Sequence, residues 1–145
     1  MEVLCEALSD ASAEGYNVAG FSGGEPLLYR PLAEALAHAQ TCGLVTTVTS
    51  NGMLLNKKQL ERLQGKVNLL AISLDGVPES HNRMRGSDSA FATMQANLNP
   101  VREAQIPFGF IFTLTQHNLH ELSWVAAFAH AEGAKLLQIH PLEGV

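Results

Sequence analysis

Two hydrophobic rhythms alternate along the chain. Val3, Leu4, Ala7, Leu8 and Ala11 recur at spacings of three and four, which predicts an amphipathic helix over residues 2–14, ending at Gly15. YNVAGFS (16–22) then predicts a strand. PLAEALAHAQTC (31–42) predicts a helix stopped by Gly43, and LVTTVTS (44–50) the next strand. NKKQLERLQ (56–64) reads as a helix ending at Gly65, followed by the strand KVNLLAISL (66–74). A longer helix is expected from Asp88, its N-cap, towards Gln105, and Pro100 inside it should kink the helix or split it in two. IPFGFIFTLT (106–115) is a strand, HNLHELSWVAAFAHAE (117–132) a helix stopped by Gly133, and AKLLQIHPL (134–142) the last strand.

Four of these five helices stop at glycine, the residue that best tolerates the left-handed position after a helix. The strands are near-continuous apolar runs, as expected where helices cover both faces of a parallel sheet. Strict alternation of helix and strand predicts an α/β fold with an all-parallel sheet.

At 145 residues the chain has the length of one domain, and we expect a single domain over residues 1–145. A formal charge of −5 gives no electrostatic footprint for nucleic acid or an anionic membrane surface, so neither is an expected partner. No apolar run approaches the roughly 18 residues that span a bilayer. The opening MEVLCEALSD carries acids where a signal peptide carries Lys or Arg, which points to a cytoplasmic location. Cys5 and Cys42 are far apart on predicted helices and form no metal-spaced group; they are expected to be reduced thiols packed as small apolar groups.

In parallel α/β folds ligands bind beyond the carboxyl ends of the strands, where the strand-to-helix loops can vary. Here those ends read SGGEP, TSNG, SLDG followed by VPESHNRMRG, TLTQHN and HPLEG. Each has an ordinary explanation taken singly. Asn51-Gly52 and Asp75-Gly76 are common turn dipeptides, Ser73 can cap a loop, His140 can be a core histidine, and Arg83 and Arg85 can be solvated charges. Polar residues at all five ends on one side of the sheet are better explained by a shared ligand pocket.

The residue types narrow its chemistry. Two adjacent glycines in FSGGEPLLY let the chain turn sharply and let a ligand approach the backbone, with Glu25 at the strand end and Pro26 stiffening the exit. Glycine amides and a glutamate suit an ammonium or amide group. A serine with a nearby arginine suits a carboxylate, through bidentate hydrogen bonds. Hydroxyls and asparagine suit a ribose. A ligand with an amino-acid end and a nucleoside end would use them all.

GGEP, TSNG and SLDG followed by H-x-x-x-R-G, in that order and on those strand ends, resemble the radical S-adenosylmethionine (radical SAM) enzymes. The likeness covers essentially the whole chain and lies nearest the branch of molybdenum-cofactor cyclases and the maturases that modify sulfatases and peptides. It implies a TIM-barrel-like, partial parallel (β/α) barrel, with five of the usual six strands present. It also implies S-adenosyl-L-methionine as cofactor. By the resemblance Gly23, Gly24, Glu25 and Pro26 form the loop that holds the methionyl amino group. Ser73 and Asp75, in SLD, stand at the methionyl or ribose end, Arg85 holds the carboxylate, and Thr49 and Asn51 lie beside the nucleoside and substrate. His140 and Gln138 are candidates for the substrate side of the pocket.

The sequence departs from the family at one place. Radical SAM enzymes hold a [4Fe-4S] cluster on a CxxxCxxC loop after their first strand, and this chain has no such loop. We therefore expect the cofactor-binding core of a radical SAM protein, truncated at both ends and not itself ligating the cluster. The parent reaction implied is reductive cleavage of S-adenosylmethionine to a 5′-deoxyadenosyl radical, then hydrogen-atom abstraction from a small-molecule or peptide substrate. The rivals are a cluster-less module that binds a nucleotide or S-adenosyl ligand, and a purely structural piece. With the family's first strand missing, the strand around residues 17–22 becomes an edge, which predicts self-association.

Overall fold

The computed structural model describes residues 1–142. Its strands are β1 (Val18–Phe21), β2 (Val45–Ser50), β3 (Leu69–Ser73), β4 (Phe108–Leu114) and β5 (Leu137–Pro141), parallel throughout and in the order β1-β2-β3-β4-β5. The helices are α1 (Glu2–Ala13), α2 (Leu32–Thr41), α3 (Lys57–Leu63), α4 (Pro78–Arg85), α5 (Ala90–Glu103) and α6 (Leu122–Ala131). Sequential parallel strands joined by crossovers of one hand place every helix on the same face, and the sheet curls into a half-barrel. The expected fold class is the observed one.

One-sided covering corrects the expectation that both faces of the sheet are packed. Val48, Leu70, Ile72, Phe108, Phe110 and Phe112 point under the helices and join Leu36, Leu60, Met94, Leu98 and Val125 in the main core. The alternate positions form the other face, and strand register sets Gly20 beside Thr47, Thr49 beside Ala71, Ser73 beside Ile111, and Thr113 beside His140. That concave face mixes small and polar residues with Leu69 and Ile111 and is partly open; β2 alternates buried and accessible residues along its length. Its threonines are good strand formers, so the run reads as a strand whichever face is wet.

Three further expectations are corrected. VPESHNRMRG is not a loop: Pro78 starts α4 and Gly86, at φ 63°, ends it. Pro100 does not split α5, which runs through it to Glu103. The carbonyl that Pro100 leaves unpaired belongs to Ala96, an exposed position where water can satisfy it. The N-cap of α5 is Ser89 rather than Asp88.

Candidate functional site

The loop after β1 is held by one carboxylate. Glu25 Oε1 accepts the Leu27 N–H at 3.1 Å and the Ser50 hydroxyl at 3.0 Å, and Oε2 accepts the Asn51 N–H at 2.9 Å. This ties SGGEP to the end of β2 and caps the short 3-10 turn Pro26–Leu28, in which Pro26 is buried. Gly23 and Gly24 have φ of 92° and 21°, a conformation side chains rarely adopt. A Cβ at either would meet nothing within 4 Å, so the glycines serve the backbone's path and leave open space before the turn.

The second group gathers around Asp75, just beyond β3. Asp75 is 2% exposed, and its Oδ2 accepts from Arg85 Nε at 2.6 Å. The Asp75 N–H donates to His81 Nδ1 at 3.2 Å, so that nitrogen is an acceptor and the imidazole is neutral. Burial holds His81 below the usual histidine range; Asp75 opposes that shift and Arg85 adds to it. His81 and Arg85 stand one helical turn apart on α4, which places both against Asp75 and gives the H-x-x-x-R spacing its physical meaning. Asp75 Oδ1 and His81 Nε2 are buried without a hydrogen-bond partner among the described residues.

Two side chains missing from the sequence reading fix this region. Asn118, 5% exposed, donates from Nδ2 to the carbonyls of Asp75 and Thr113, at 3.1 and 2.9 Å. Glu121, 7% exposed, accepts the Val77 N–H at 2.8 Å and the Ser80 hydroxyl at 2.6 Å, placing a negative charge at the amino end of α4. Asn118 closes TLTQHN, where it reads only as part of a polar strand end, and Glu121 stands in no recognisable motif. Ser50 lies inside TSNG, but its role in bracing Glu25 is visible only in the structure.

The structure thus joins Glu25 to Asn51, and Asp75 to Arg85. Thr49 and Ser73 lie on the concave face between these groups, half-buried. Gln138 and His140 sit on the same face at β5 and are exposed, so His140 is not a core histidine. A cavity of about 420 Å³ opens between α4 and the loop after β4, lined by Asp75, Ser80, Arg83, Thr115, His117 and Asn118. Arg83, not Arg85, lines it. The end of HPLEG falls outside the described residues.

The cysteines stand apart from this site. Cys42 ends α2, at the amino edge of the sheet and so at the opposite pole. It is more than an apolar filler: its Sγ lies 3.6 Å from both His38 Nε2 and Ser9 Oγ. Cys5 and Cys42 are both half-buried free thiols. Among the described residues no group of three or more His, Cys, Asp and Glu side chains could hold a metal ion, and no helix is long and apolar enough to cross a membrane.

A half-barrel with polar strand ends of this kind defines a class, and comparison with known proteins gives the family. The model of the Radical SAM superfamily matches residues 2–129, and the chain belongs to that superfamily. The AdoMet-dependent heme synthase of Methanosarcina barkeri is 30% identical over 129 residues, 88% of this chain and 37% of that protein. The Fe-coproporphyrin III synthase of the same organism is 29% identical over 116 residues, 79% of this chain and 29% of that protein. The chain therefore spans about a third of the length of these curated relatives. Among solved structures, native anSMEcpe with bound AdoMet and Kp18Cys peptide matches with a TM-score of 0.77 at 20% identity, over 97% of this chain and 42% of that one. That is a likeness of fold.

Proposed function

We propose that this chain is the S-adenosylmethionine-binding core of a radical SAM enzyme. The observation that carries the reading is the convergence of the Glu25-braced glycine turn, Thr49, Ser73 and Arg85 at the carboxyl ends of β1 to β3. In this reading the Gly23–Gly24 backbone takes the methionyl ammonium, and Glu25 braces that turn with Pro26. Arg85 takes the carboxylate, Ser73 lies at the methionyl or ribose end, and Thr49 and Asn51 face the nucleoside. Asp75 acts through Arg85. The whole protein's reaction is reductive cleavage of S-adenosylmethionine followed by hydrogen-atom abstraction, with a tetrapyrrole or a peptide as the substrate class. The relatives named as heme and coproporphyrin synthases support the first, and the peptide bound to anSMEcpe the second.

The residues of this chain do not fit the family's [4Fe-4S] cluster. Its two cysteines stand on α1 and at the far end of α2, and neither belongs to a C-x-x-x-C-x-x-C loop. The supported activity of the chain itself is therefore ligand binding. Titration with S-adenosylmethionine, followed by amide shifts of residues 22–26, 49–52 and 73–76, tests it. Shifts confined to those strand ends are expected, and shifts elsewhere or none would overturn the reading.

A further inference from the structure

We propose that Asp75 is a positioning residue, which grips Arg85 by Nε so that the two terminal guanidinium nitrogens are presented to a carboxylate of the bound ligand. The inference rests on the assignment of Arg85 to the methionyl carboxylate and adds what makes that arginine competent. Nε–H is one edge of the guanidinium fork, and Asp75 Oδ2 takes it at 2.6 Å. Among the described residues this is the only hydrogen bond the Arg85 side chain makes, which leaves the four terminal N–H donors free for a bidentate partner. The Arg85 side chain is 29% exposed, against 1% for Asp75, so the anchor is buried and the fork reaches the surface.

The anchor is itself oriented. The Asp75 amide is held by His81 Nδ1 and the Asp75 carbonyl by Asn118 Nδ2, from two different elements. His81 is fully buried, with its ring edge against Phe91 at a centroid distance of 6.0 Å, which connects the grip on Asp75 to the aromatic core. The cluster draws α4 and the loop after β4 onto one buried aspartate, and Asp75 Oδ2, which holds Arg85, stands at its centre. Its organisation makes sense if fixing the arginine is its purpose.

The test compares S-adenosylmethionine with its decarboxylated form, measuring binding to the unmodified chain and to Asp75→Asn, Arg85→Ala, Arg85→Lys and the Asp75→Asn/Arg85→Ala pair. We expect each single change to weaken S-adenosylmethionine by roughly tenfold, the scale of one charge-assisted hydrogen bond, and to leave the decarboxylated ligand unchanged. The pair should be no worse than Arg85→Ala alone. Arg85→Lys keeps the charge but loses the Nε fork, so it carries the test if Asp75→Asn does not fold. Full affinity in Asp75→Asn or Arg85→Lys, with selective loss in Arg85→Ala, overturns the positioning role and leaves the arginine assignment standing. Equal losses for both ligands in Asp75→Asn make Asp75 merely structural. No loss in Arg85→Ala removes the assignment on which the inference rests.

Discussion

The carboxylate of Glu25 accepts the hydroxyl of Ser50 at 3.0 Å, so the glycine turn after β1 is fastened to the end of β2 by a side chain that sequence alone suggests for a ligand. Ser50 is 2% exposed and its oxygen also accepts the Gly52 N–H at 3.1 Å. Glu25→Ala removes three accepted hydrogen bonds and strands a buried hydroxyl. It should cost about 2 kcal/mol in urea denaturation, with Ser50→Ala costing about 1 kcal/mol. The double variant should cost less than the sum, because both act on one contact. Additive losses would mean that the two side chains act independently.

Much of this architecture is legible in the sequence. Periodicity and terminal glycines mark five helices and every strand, and the strand ends mark the polar rim. What escapes is set by tertiary contact. The segment PESHNRMR has no apolar stripe, yet it is helical because Glu121 caps its start and His81 and Arg85 close on Asp75. The wet concave face escapes for another reason: threonine suits a strand equally on either side of a sheet.

Gly76 marks the tightest of those contacts. Its φ is 136°, and a Cβ there would stand 1.9 Å from Glu121 Oε2. Gly76→Ala must displace the carboxylate that caps α4, and we expect a loss of at least about 2 kcal/mol in chemical denaturation. A neutral substitution would show that the loop after β3 moves freely from Glu121.

His81 gives the fold a pH dependence of known sign. Its folded pKa is depressed below 6.5 by burial, so the unfolded chain binds the proton more readily. The stabilising contribution is therefore fully present above about pH 6.5 and is lost as pH falls towards the folded value, by at most about 1.4 kcal/mol per pH unit. His81→Asn keeps an acceptor and should flatten this part of the stability profile below pH 6.5. An unchanged slope would mean that His81 titrates freely in the folded chain.

The edge strand bears on association. Among the described residues β1 has β2 as its one neighbour in the sheet, and Val18 is 54% exposed. Helix α1 packs on α2, with Leu8 against the cluster of Ala19, Ala39 and Leu44 and Ser12 donating to the Cys42 carbonyl at 2.6 Å. We expect the 145-residue chain to self-associate in light scattering at rising concentration, and Val18→Lys to suppress it. A monomer at every concentration would count against a sticky edge.

Affinity for S-adenosylmethionine in the Ser73, Arg85 and Arg83 variants tests the central claim most directly. The two arginines belong to the same helix, but Arg83 lines the neighbouring cavity while Arg85 is held by Asp75. Calorimetry should show weaker binding in Ser73→Ala and Arg85→Ala and little change in Arg83→Ala. Equal losses at Arg83 and Arg85, or a loss at Arg83 alone, would place the carboxylate in the cavity beside α4 and contradict the account.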